Sequence, residues 1–571
     1  MAAMTSRIAG HVLVEALVAQ GVTTAFGVPG ESYLAVLDGF HAHRDAIRFV
    51  TCRHEGGAGF MAEAAGKLTG RPGICFVTRG PGASNAAIGI HTAFQDSTPM
   101  IVFVGQVSGT QRDREAFQEV DYRQMFGPGT LGYAKWVGEV HDADRIPEYV
   151  ARAFRVAMQG RMGPVVIALP EDMLLHETDA AVLPRVEPAL ASPGDAELSG
   201  MRDMLAAAER PFVIAGGGGW TREAAAALEM FAERWQLPVG CSFRCQDVFD
   251  NGHPSDAGDI GLGIAPKLAA RLREADLVLA LGDRLGELVT ADYTLLRAPK
   301  TTQRLIHVHP GAEELGRVYA PDLAVLASVR TAAPALAALE PPADTPRWAA
   351  WTRAARADAL ANRTPPRAYE GVDPIAIVRT VESLVPDDTV FTNGAGNFAT
   401  WLHRFHAYRG MRHAGRTQLA PHSGAMGYGL PAAIAAALLE PDRQVVNWAG
   451  DGDFGMTAAD CITAVAHGAR KLVAVVLDNG GYGTIRMHQE REFPGRVAAT
   501  ELARVDWAAI ARAHGWWAAE RVERTEDFEP AFRAALAAGR PALVHVVLPM
   551  ETITPRQTIG EIRAAAATTK A

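Results

Sequence analysis

The chain has 571 residues, of which 48% are hydrophobic and 21% charged, and its formal net charge is −9. That length is too great for one hydrophobic core and predicts three or four globular domains. The negative charge argues against a nucleic-acid partner, and no apolar run reaches the roughly 18 residues that a membrane span needs. The five cysteines are scattered and odd in number, so we expect reduced thiols in a cytoplasmic protein.

Short apolar runs alternate with helical patterns in the first third of the chain, which is typical of an α/β fold. Glycine, proline or polar residues follow most of these runs; Gly30 ends the first such turn, and Glu55 follows the second run. We predict an N-terminal domain over residues 1–185. Its predicted strands are 24–28, 47–52, 74–78, 100–104 and 165–169.

A second α/β pattern follows a proline-containing linker and predicts a middle domain at 200–340. The glycines at 216–219 look like a nucleotide-binding loop, but Arg222 stands where the third glycine of the dinucleotide fingerprint would fall. A nicotinamide-dependent oxidoreductase is therefore an alternative with an incomplete motif. The predicted strands of this domain are 211–215, 277–281 and 305–309.

The third predicted domain, at 371–555, contains a strand, a helix and a second strand in close succession, and the alanine-rich tail 559–571 after it is predicted to fray. The two strands, 445–449 and 472–477, should run parallel. Parallel neighbours release their C-terminal residues at one edge of the sheet, which is where open α/β sheets bind ligands.

Asp451 and Asn479 follow these two strands and should therefore meet at that edge. Carboxylate and carboxamide oxygens are hard ligands that suit Mg²⁺ better than zinc. One carboxylate is a poor cage for Mg²⁺, which completes its octahedron with water and phosphate oxygens. The pattern thus predicts a diphosphate, which Gly450, Gly452 and Gly455 would let the backbone approach. A tight turn without a ligand is the alternative.

This segment, with an asparagine after the next strand, resembles the motif of thiamine-diphosphate-dependent enzymes. Nearly the whole chain, from about residue 8 to 550, resembles that family, and within it the acetolactate synthase large subunits. The resemblance implies three domains, each with a mostly parallel sheet flanked by helices: pyrimidine-binding, middle and diphosphate-binding. The segments that carry it include 27–30, 53–64, 79–85, 424–433 and 450–454.

The resemblance also assigns residues to a cofactor site. Asp451 and Asn479 would be side-chain metal ligands and Gly481 a main-chain ligand; the family usually has Asn-Asn where this chain has Asp478 and Asn479. Glu55 would hydrogen-bond a ring nitrogen of the cofactor's aminopyrimidine, although a carboxylate at a helix start can simply complement the helix dipole. The other implied cofactor contacts are Gly30, Asn393, Gly394, Ala395, Gly424, Met426 (as a wedge between the rings, or plain core packing), Gly450, Gly452, Asp453 and Tyr482.

Three residues match substrate positions of the acetolactate synthases. Phe117 and Gln118 would line the pyruvate pocket, and Arg284 would hold a carboxylate or make a surface or flavin-phosphate contact. His488 stands where those enzymes have the tryptophan of the acceptor pocket, and Glu171 replaces a basic residue. The resemblance implies thiamine diphosphate and Mg²⁺ as cofactors, with flavin adenine dinucleotide (FAD) as an additional candidate. The middle domain lacks the flavin-contact pattern of the acetolactate synthases, which argues against FAD.

The implied activity is decarboxylation or carboligation of a small 2-oxo acid, with pyruvate to acetolactate as the first candidate reaction. Alternatives within the family are a decarboxylase for a larger 2-oxo acid and a lyase for 2-hydroxy ketones. A catalytically silent regulatory protein is a further alternative, against which the retained Glu55, Asp451 and Asn479 argue. The family implies a homo-oligomer: at least a dimer with the active site between chains, as a dimer of dimers, with no nucleic-acid or membrane partner.

Overall fold

A computed structural model of the protein describes residues 6–127, 132–341, 347–369 and 371–570. Three six-stranded sheets, each flanked by helices, form its framework, as the sequence predicted. By internal contacts the chain forms two compact units: one holds residues up to 189 together with 430–441 and 457–469, and the other holds the remainder. The predicted domain limits 1–185, 200–340 and 371–555 stay predictions. In the described part of the chain no helix combines the length and apolar character needed to cross a membrane.

The first sheet is entirely parallel, in the order β3-β2-β4-β5-β7-β6, and a small antiparallel pair, β1 and β8, lies outside it. Its central strands are buried on both faces, which explains their continuous apolar runs. The strands are β1 Arg7–Ile8, β2 Thr24–Gly27, β3 Arg48–Thr51, β4 Gly73–Val77, β5 Met100–Gln106, β6 Trp136–Glu139, β7 Pro164–Pro170 and β8 Glu177–Thr178. The helices are α1 Ala9–Ala19, α2 Leu34–Ala42, α3 Glu55–Thr69, α4 Gly80–Asp96, α5 Tyr122–Phe126 and α6 Ile146–Met158.

The second sheet is also parallel, in the order β11-β10-β9-β12-β13-β14. The sequence predicted three of its strands and missed β10, β11 and β14. The strands are β9 Pro211–Ala215, β10 Val239–Ser242, β11 Asp256–Ile260, β12 Leu277–Leu281, β13 Arg304–His309 and β14 Leu323–Leu326. The helices are α7 Asp195–Ala207, α8 Arg222–Trp235, α9 Pro266–Glu274, α10 Val329–Ala338 and α11 Ala349–Asn362.

The third sheet has the order β16-β15-β17-β18-β20-β19, and its strands are parallel. Its β17 and β18 are the two strands predicted to carry the ligand-binding edge. The strands are β15 Val390–Thr392, β16 Gln418–Leu419, β17 Val445–Gly450, β18 Leu472–Asp478, β19 Trp517–Ala518 and β20 Ala542–Val547. The helices are α12 Pro374–Leu384, α13 Phe398–Phe405, α14 Met411–Ala414, α15 Gly429–Leu439, α16 Asp451–Gly455, α17 Cys461–His467, α18 Gly483–Glu492, α19 Trp507–Ala513, α20 Thr525–Leu536 and α21 Ile559–Lys570.

The alanine-rich tail forms a docked helix, so the prediction that it frays was wrong. Ile559 and Ile562 of α21 are buried against Met487 of α18. Arg563 adds two hydrogen bonds, both of 2.8 Å, to the buried carboxylate of Glu490 on α18. Apolar contacts and a charged pair therefore fix the tail to the helix that follows β18.

Acid is expected to loosen this docking. Arg563, with the Gly495 amide and Arg486, lowers the pKa of Glu490 from its ordinary value near 4.5 to about 2. A depressed pKa contributes stability that is present above about pH 4.5 and is lost as the pH falls towards 2. Replacing Arg563 by alanine should lower the free energy of unfolding by about 1–2 kcal/mol at pH 7, since Arg563 is partly exposed. Urea titrations between pH 2.5 and 7 measure this, and a variant that loses stability with acid as steeply as the wild type would contradict it.

Candidate active site

A cavity of about 250 Å³ lies at the carboxyl edge of the third sheet. Strands β17 and β18 pair in parallel with Gly450 opposite Leu477, so the residues after them lie side by side. Asp451 and Asn479 both line this cavity, which the sequence had predicted from the strand ends. The remaining wall comes from residues 395–398, Gly424, Met426, Gly450, Gly452, Asp453, Leu477, 481–485 and Ile553. The volume is just below the usual range of small-molecule sites, about 300–1,000 Å³, so it has room for part of a cofactor.

Negative charge is concentrated at this edge. Asp451 is only 7% exposed. Its burial and the adjacent carboxylate of Asp478 raise its pKa above the ordinary value. Burial acts in the same direction on Asp478, but the hydrogen bond from His545 and the Gly480 amide lower the pKa of Asp478 overall. An ionised Asp478 beside Asp451 makes the cavity edge attractive to a cation.

The turn after β18 depends on glycine and on the Asn479 side chain. The Asn479 Oδ1 accepts a hydrogen bond of 3.2 Å from the Gly481 amide, and Gly480 has a φ of +71°. The Tyr482 ring packs on Gly452 so closely that a Cβ there would lie 2.8 Å from the ring. These contacts hold Asn479, Gly481 and Tyr482 around one side of the cavity.

Asp453, in the short helix α16, connects two loops that form the cavity wall. Its buried Oδ1 accepts a 2.8 Å hydrogen bond from the Gly427 amide. The amides of Ala395 and Gly394 also donate to this carboxylate, and burial raises its pKa to about 7. A Cβ on Gly394 would lie 1.9 Å from Asp453 Oδ1, so glycine is required there. Asp453 thus builds the wall as well as lining it, a role that the sequence did not reveal because its partners are distant in the chain.

Replacing Asp453 by alanine is therefore expected to weaken both fold and site. Leaving buried amides without an acceptor costs about 1–3 kcal/mol each, so we expect a loss of about 3 kcal/mol in unfolding free energy. Asp453→Asn retains an acceptor oxygen and should lose much less. Urea unfolding and titration with thiamine diphosphate test this, and an alanine variant as stable as the asparagine variant would refute it.

The other residues predicted around the cofactor differ in position. Met426 lines the cavity, and its loop contains Gly424, which has a φ of +67°. Asn393 is buried, and both ends of its side-chain amide are hydrogen-bonded. Its oxygen accepts from the His403 ring at 2.8 Å, and its nitrogen donates to the Gly394 carbonyl at 2.7 Å. Asn393 therefore supports the loop that leads to Ala395, and its own contact with a ligand stays a prediction.

Glu55 is the first residue of α3, directly after the strand β3 and its turn. The ring of His54 caps this helix by accepting from the Gly56 amide at 3.0 Å. One oxygen of Glu55 accepts a 3.0 Å hydrogen bond from the side chain of Asn85 on α4. A Cβ on Gly82 of the same helix would lie 3.5 Å from the other oxygen. Asn85 had no predicted role, although it lies in the segment 79–85 that carries part of the family resemblance.

Gln118 contacts the start of helix α4, and Phe117 precedes it in the chain. Phe117 is 72% exposed, which leaves its ring available for a ligand or a partner. Gln118 has a φ of +64°, and its carbonyl accepts a 3.0 Å hydrogen bond from Gly80 at the start of α4. Helix α4 thus brings the Glu55 carboxylate and the Gln118 backbone to one end of the first sheet. Gly30 lies there too, packed against Thr78. Arg284, in the other unit, follows β12 and is half-buried.

Parallel sheets with polar residues at their strand ends and a glycine-walled cavity define a cofactor-dependent α/β enzyme. Family models of the thiamine pyrophosphate enzymes match residues 7–125 (N-terminal TPP binding domain), 198–336 (central domain) and 394–546 (C-terminal TPP binding domain). The chain belongs to this family.

Curated relatives cover almost the whole chain. An acetolactate synthase large subunit of Parasynechococcus marenigrum is 32% identical over 94% of this chain and 86% of its own length. The acetolactate synthase isozyme 1 large subunit of Escherichia coli is 30% identical over 94% of this chain and 93% of its length. A catabolic acetolactate synthase of Raoultella terrigena is 31% identical over 94% of each chain.

Proposed function

We propose that the protein is a thiamine-diphosphate- and Mg²⁺-dependent carboligase of small 2-oxo acids that converts pyruvate to acetolactate. The observation that supports this most directly is the cavity at the β17–β18 edge, which Asp451 and Asn479 line together. The names of the relatives add the substrate class. A decarboxylase for a larger 2-oxo acid, or a lyase for 2-hydroxy ketones, is the alternative.

The oxygen donors at this edge fit Mg²⁺. The Asp451 carboxylate, the Asn479 carboxamide and the Gly481 carbonyl are hard ligands, and the ionised Asp478 adds negative charge. No group of three or more His, Cys, Asp or Glu side chains that could hold a metal occurs among the described residues. The proposed ion would therefore complete its octahedron with water and diphosphate oxygens.

Thiamine diphosphate, when bound, supplies the carbon nucleophile and the electron sink for decarboxylation. We assign its diphosphate end to the loop around Asp451 and its bend to Met426, which lines the same cavity. Glu55 would bond a ring nitrogen at the other end and exchange a proton with it, while Asn85 orients the Glu55 carboxylate. Phe117, Gln118 and Arg284 are the proposed substrate contacts.

Product analysis decides between the proposed reactions. Incubation of the protein with pyruvate, thiamine diphosphate and Mg²⁺ should give carbon dioxide and acetolactate in equal amounts. Carbon dioxide without acetolactate would favour a simple decarboxylase, and turnover of only bulkier 2-oxo acids would favour the alternative. Neither product from any member of a 2-oxo acid panel would refute the proposal.

The assembly we propose is at least a dimer, with Glu55 of one chain and Asp451 of another at each active site, and a dimer of dimers as the complete form. Light scattering coupled to gel filtration tests this, and a fully active monomer would refute it. We also propose a cytoplasmic location, which the five free, buried cysteines support.

A dinucleotide at the middle sheet is the less favoured alternative. The loop after β9 packs directly on the loop after β12: a Cβ on Gly217 would lie 2.0 Å from the Gly282 carbonyl oxygen. Trp220 is buried beside it and donates a 2.8 Å hydrogen bond to the Gly216 carbonyl. This close packing argues against a nicotinamide or flavin pyrophosphate between these strand ends. FAD stays an additional candidate beside thiamine diphosphate and Mg²⁺. A visible absorption spectrum of the purified protein tests for bound flavin, and a fluorescence titration tests for nicotinamide binding.

A further inference from the structure

The strand that leads to Glu55 lies at an edge of its sheet, and side chains from a distant part of the chain cover that edge. Strand β3 is the first in the order β3-β2-β4-β5-β7-β6. An edge strand presents unpaired N–H groups. The Thr51 amide donates to the ring of His467 at 3.1 Å, and the Arg53 amide donates to Asp460 Oδ1 at 3.1 Å. Both acceptors belong to the segment 457–469, which packs within the same compact unit.

Asp460 is the more deeply buried of the two acceptors. It is 1% exposed, and the Thr463 hydroxyl donates to the same Oδ1 at 2.9 Å. Its other oxygen faces Gly57 in the first turn of α3, where a Cβ would lie only 2.0 Å away. A carboxylate at a helix N-terminus is favourably placed against the helix dipole. Asp460 therefore fixes the backbone on both sides of Glu55: Arg53 before it and Gly57 after it.

We propose that Asp460 is a positioning residue that fixes the direction of the Glu55 side chain at the start of α3. The proposal rests on the proposed function, in which Glu55 must reach one ring nitrogen of the cofactor. Two restraints then fix the orientation of Glu55: Asp460 holds the backbone beside it, and Asn85 holds its carboxylate. A displacement of about 1 Å at a reacting group can cost about 100-fold in rate, so loss of the backbone restraint should be visible in turnover.

Two variants separate positioning from folding. Asp460→Ala removes both contacts, whereas Asp460→Asn keeps the shape and one acceptor oxygen. A matched control is Gln20→Ala. Gln20 is also buried, and its side chain accepts a hydrogen bond from the backbone N–H of Val186, a residue far from Glu55 in the chain. We expect kcat to fall by about 100-fold in Asp460→Ala and less in Asp460→Asn, with the affinity for thiamine diphosphate within threefold of wild type in both.

The experiment has two readouts. Amide hydrogen exchange of the apoprotein should accelerate at least tenfold in residues 51–57 of Asp460→Ala, but not in β4 or β5 and not in Gln20→Ala. The exchange of the thiazolium proton of bound thiamine diphosphate into heavy water, followed by NMR, should slow by about 100-fold in Asp460→Ala and be restored in part in Asp460→Asn.

Each contrary result has a distinct meaning. Unchanged amide exchange in residues 51–57 would overturn the proposal, since the backbone would then not depend on Asp460. Faster amide exchange with wild-type thiazolium exchange would also overturn it, since the contact would then be structural alone. Wild-type protein that fails to exchange the thiazolium proton would refute the proposed function, and the role of Asp460 with it.

Discussion

Replacing Glu55 by glutamine is expected to lower kcat by about 10²- to 10⁴-fold while thiamine diphosphate still binds with near wild-type affinity. Glutamine has the size of glutamate and can still accept the hydrogen bond from Asn85. It lacks the carboxylate that, in the proposed function, would bond a ring nitrogen of the cofactor and exchange a proton with it. Steady-state rates with pyruvate, together with a fluorescence titration of the cofactor, separate the two effects.

A glutamate elsewhere in the same unit provides the control for this variant. Glu148 on α6 is exposed and pairs with Arg145, so Glu148→Gln removes the same charge without touching α3. Its kcat should equal that of the wild type. Undiminished turnover in Glu55→Gln would remove Glu55 from the mechanism, and loss of cofactor binding in that variant would make its role one of binding.

Asp451→Ala should instead abolish metal-dependent cofactor binding. Losing a supporting partner already costs a metal site about 10- to 100-fold in affinity, and losing the carboxylate ligand itself should cost more than 100-fold. The unfolding free energy of the apoprotein should not fall, because burial and Asp478 both oppose the charge of Asp451. Binding is therefore expected to be lost without a loss of stability. Calorimetric titration with Mg²⁺ and thiamine diphosphate measures the first, and urea unfolding measures the second.

The matched control is Asp442→Ala, which removes an exposed carboxylate just before β17. It should bind the cofactor as the wild type does. Asp451→Asn should lie between wild type and Asp451→Ala, because a carboxamide oxygen remains a weaker ligand. Wild-type affinity in Asp451→Ala would disprove the assignment of this residue to the metal.

The edge with Asp451 and Asn479 was predictable because two local signals suffice there. Each strand is a mostly apolar run, interrupted in β17 by Asn447, and a helix between them forces the strands to be parallel. The polar residues that follow must then meet. The wall behind them was not predictable in the same way, since Asp453 bonds amides at 394, 395 and 427, which no periodicity connects to it.

The errors elsewhere have similar physical causes. Strands β10, β11 and β14 are short, and β10 and β11 contain glycine and polar residues, so they resemble loops in sequence. The tail is alanine-rich, but Ile559, Ile562 and Arg563 make contacts on α18 that composition does not reveal. The restraint of the Glu55 backbone by Asp460 joins residues about 400 positions apart, as their hydrogen bond shows.

The hydrogen bond between Asp478 and His545 couples strand β18 to strand β20. Strand β18 ends at Asp478, β20 carries His545 beside it, and their 2.9 Å hydrogen bond is buried. Asp478→Asn introduces the residue that the family usually has at this position. It would replace the carboxylate that accepts the His545 N–H with an uncharged carboxamide. The two positions are therefore coupled, so a substitution at either one changes the hydrogen bonding of the other inside the core.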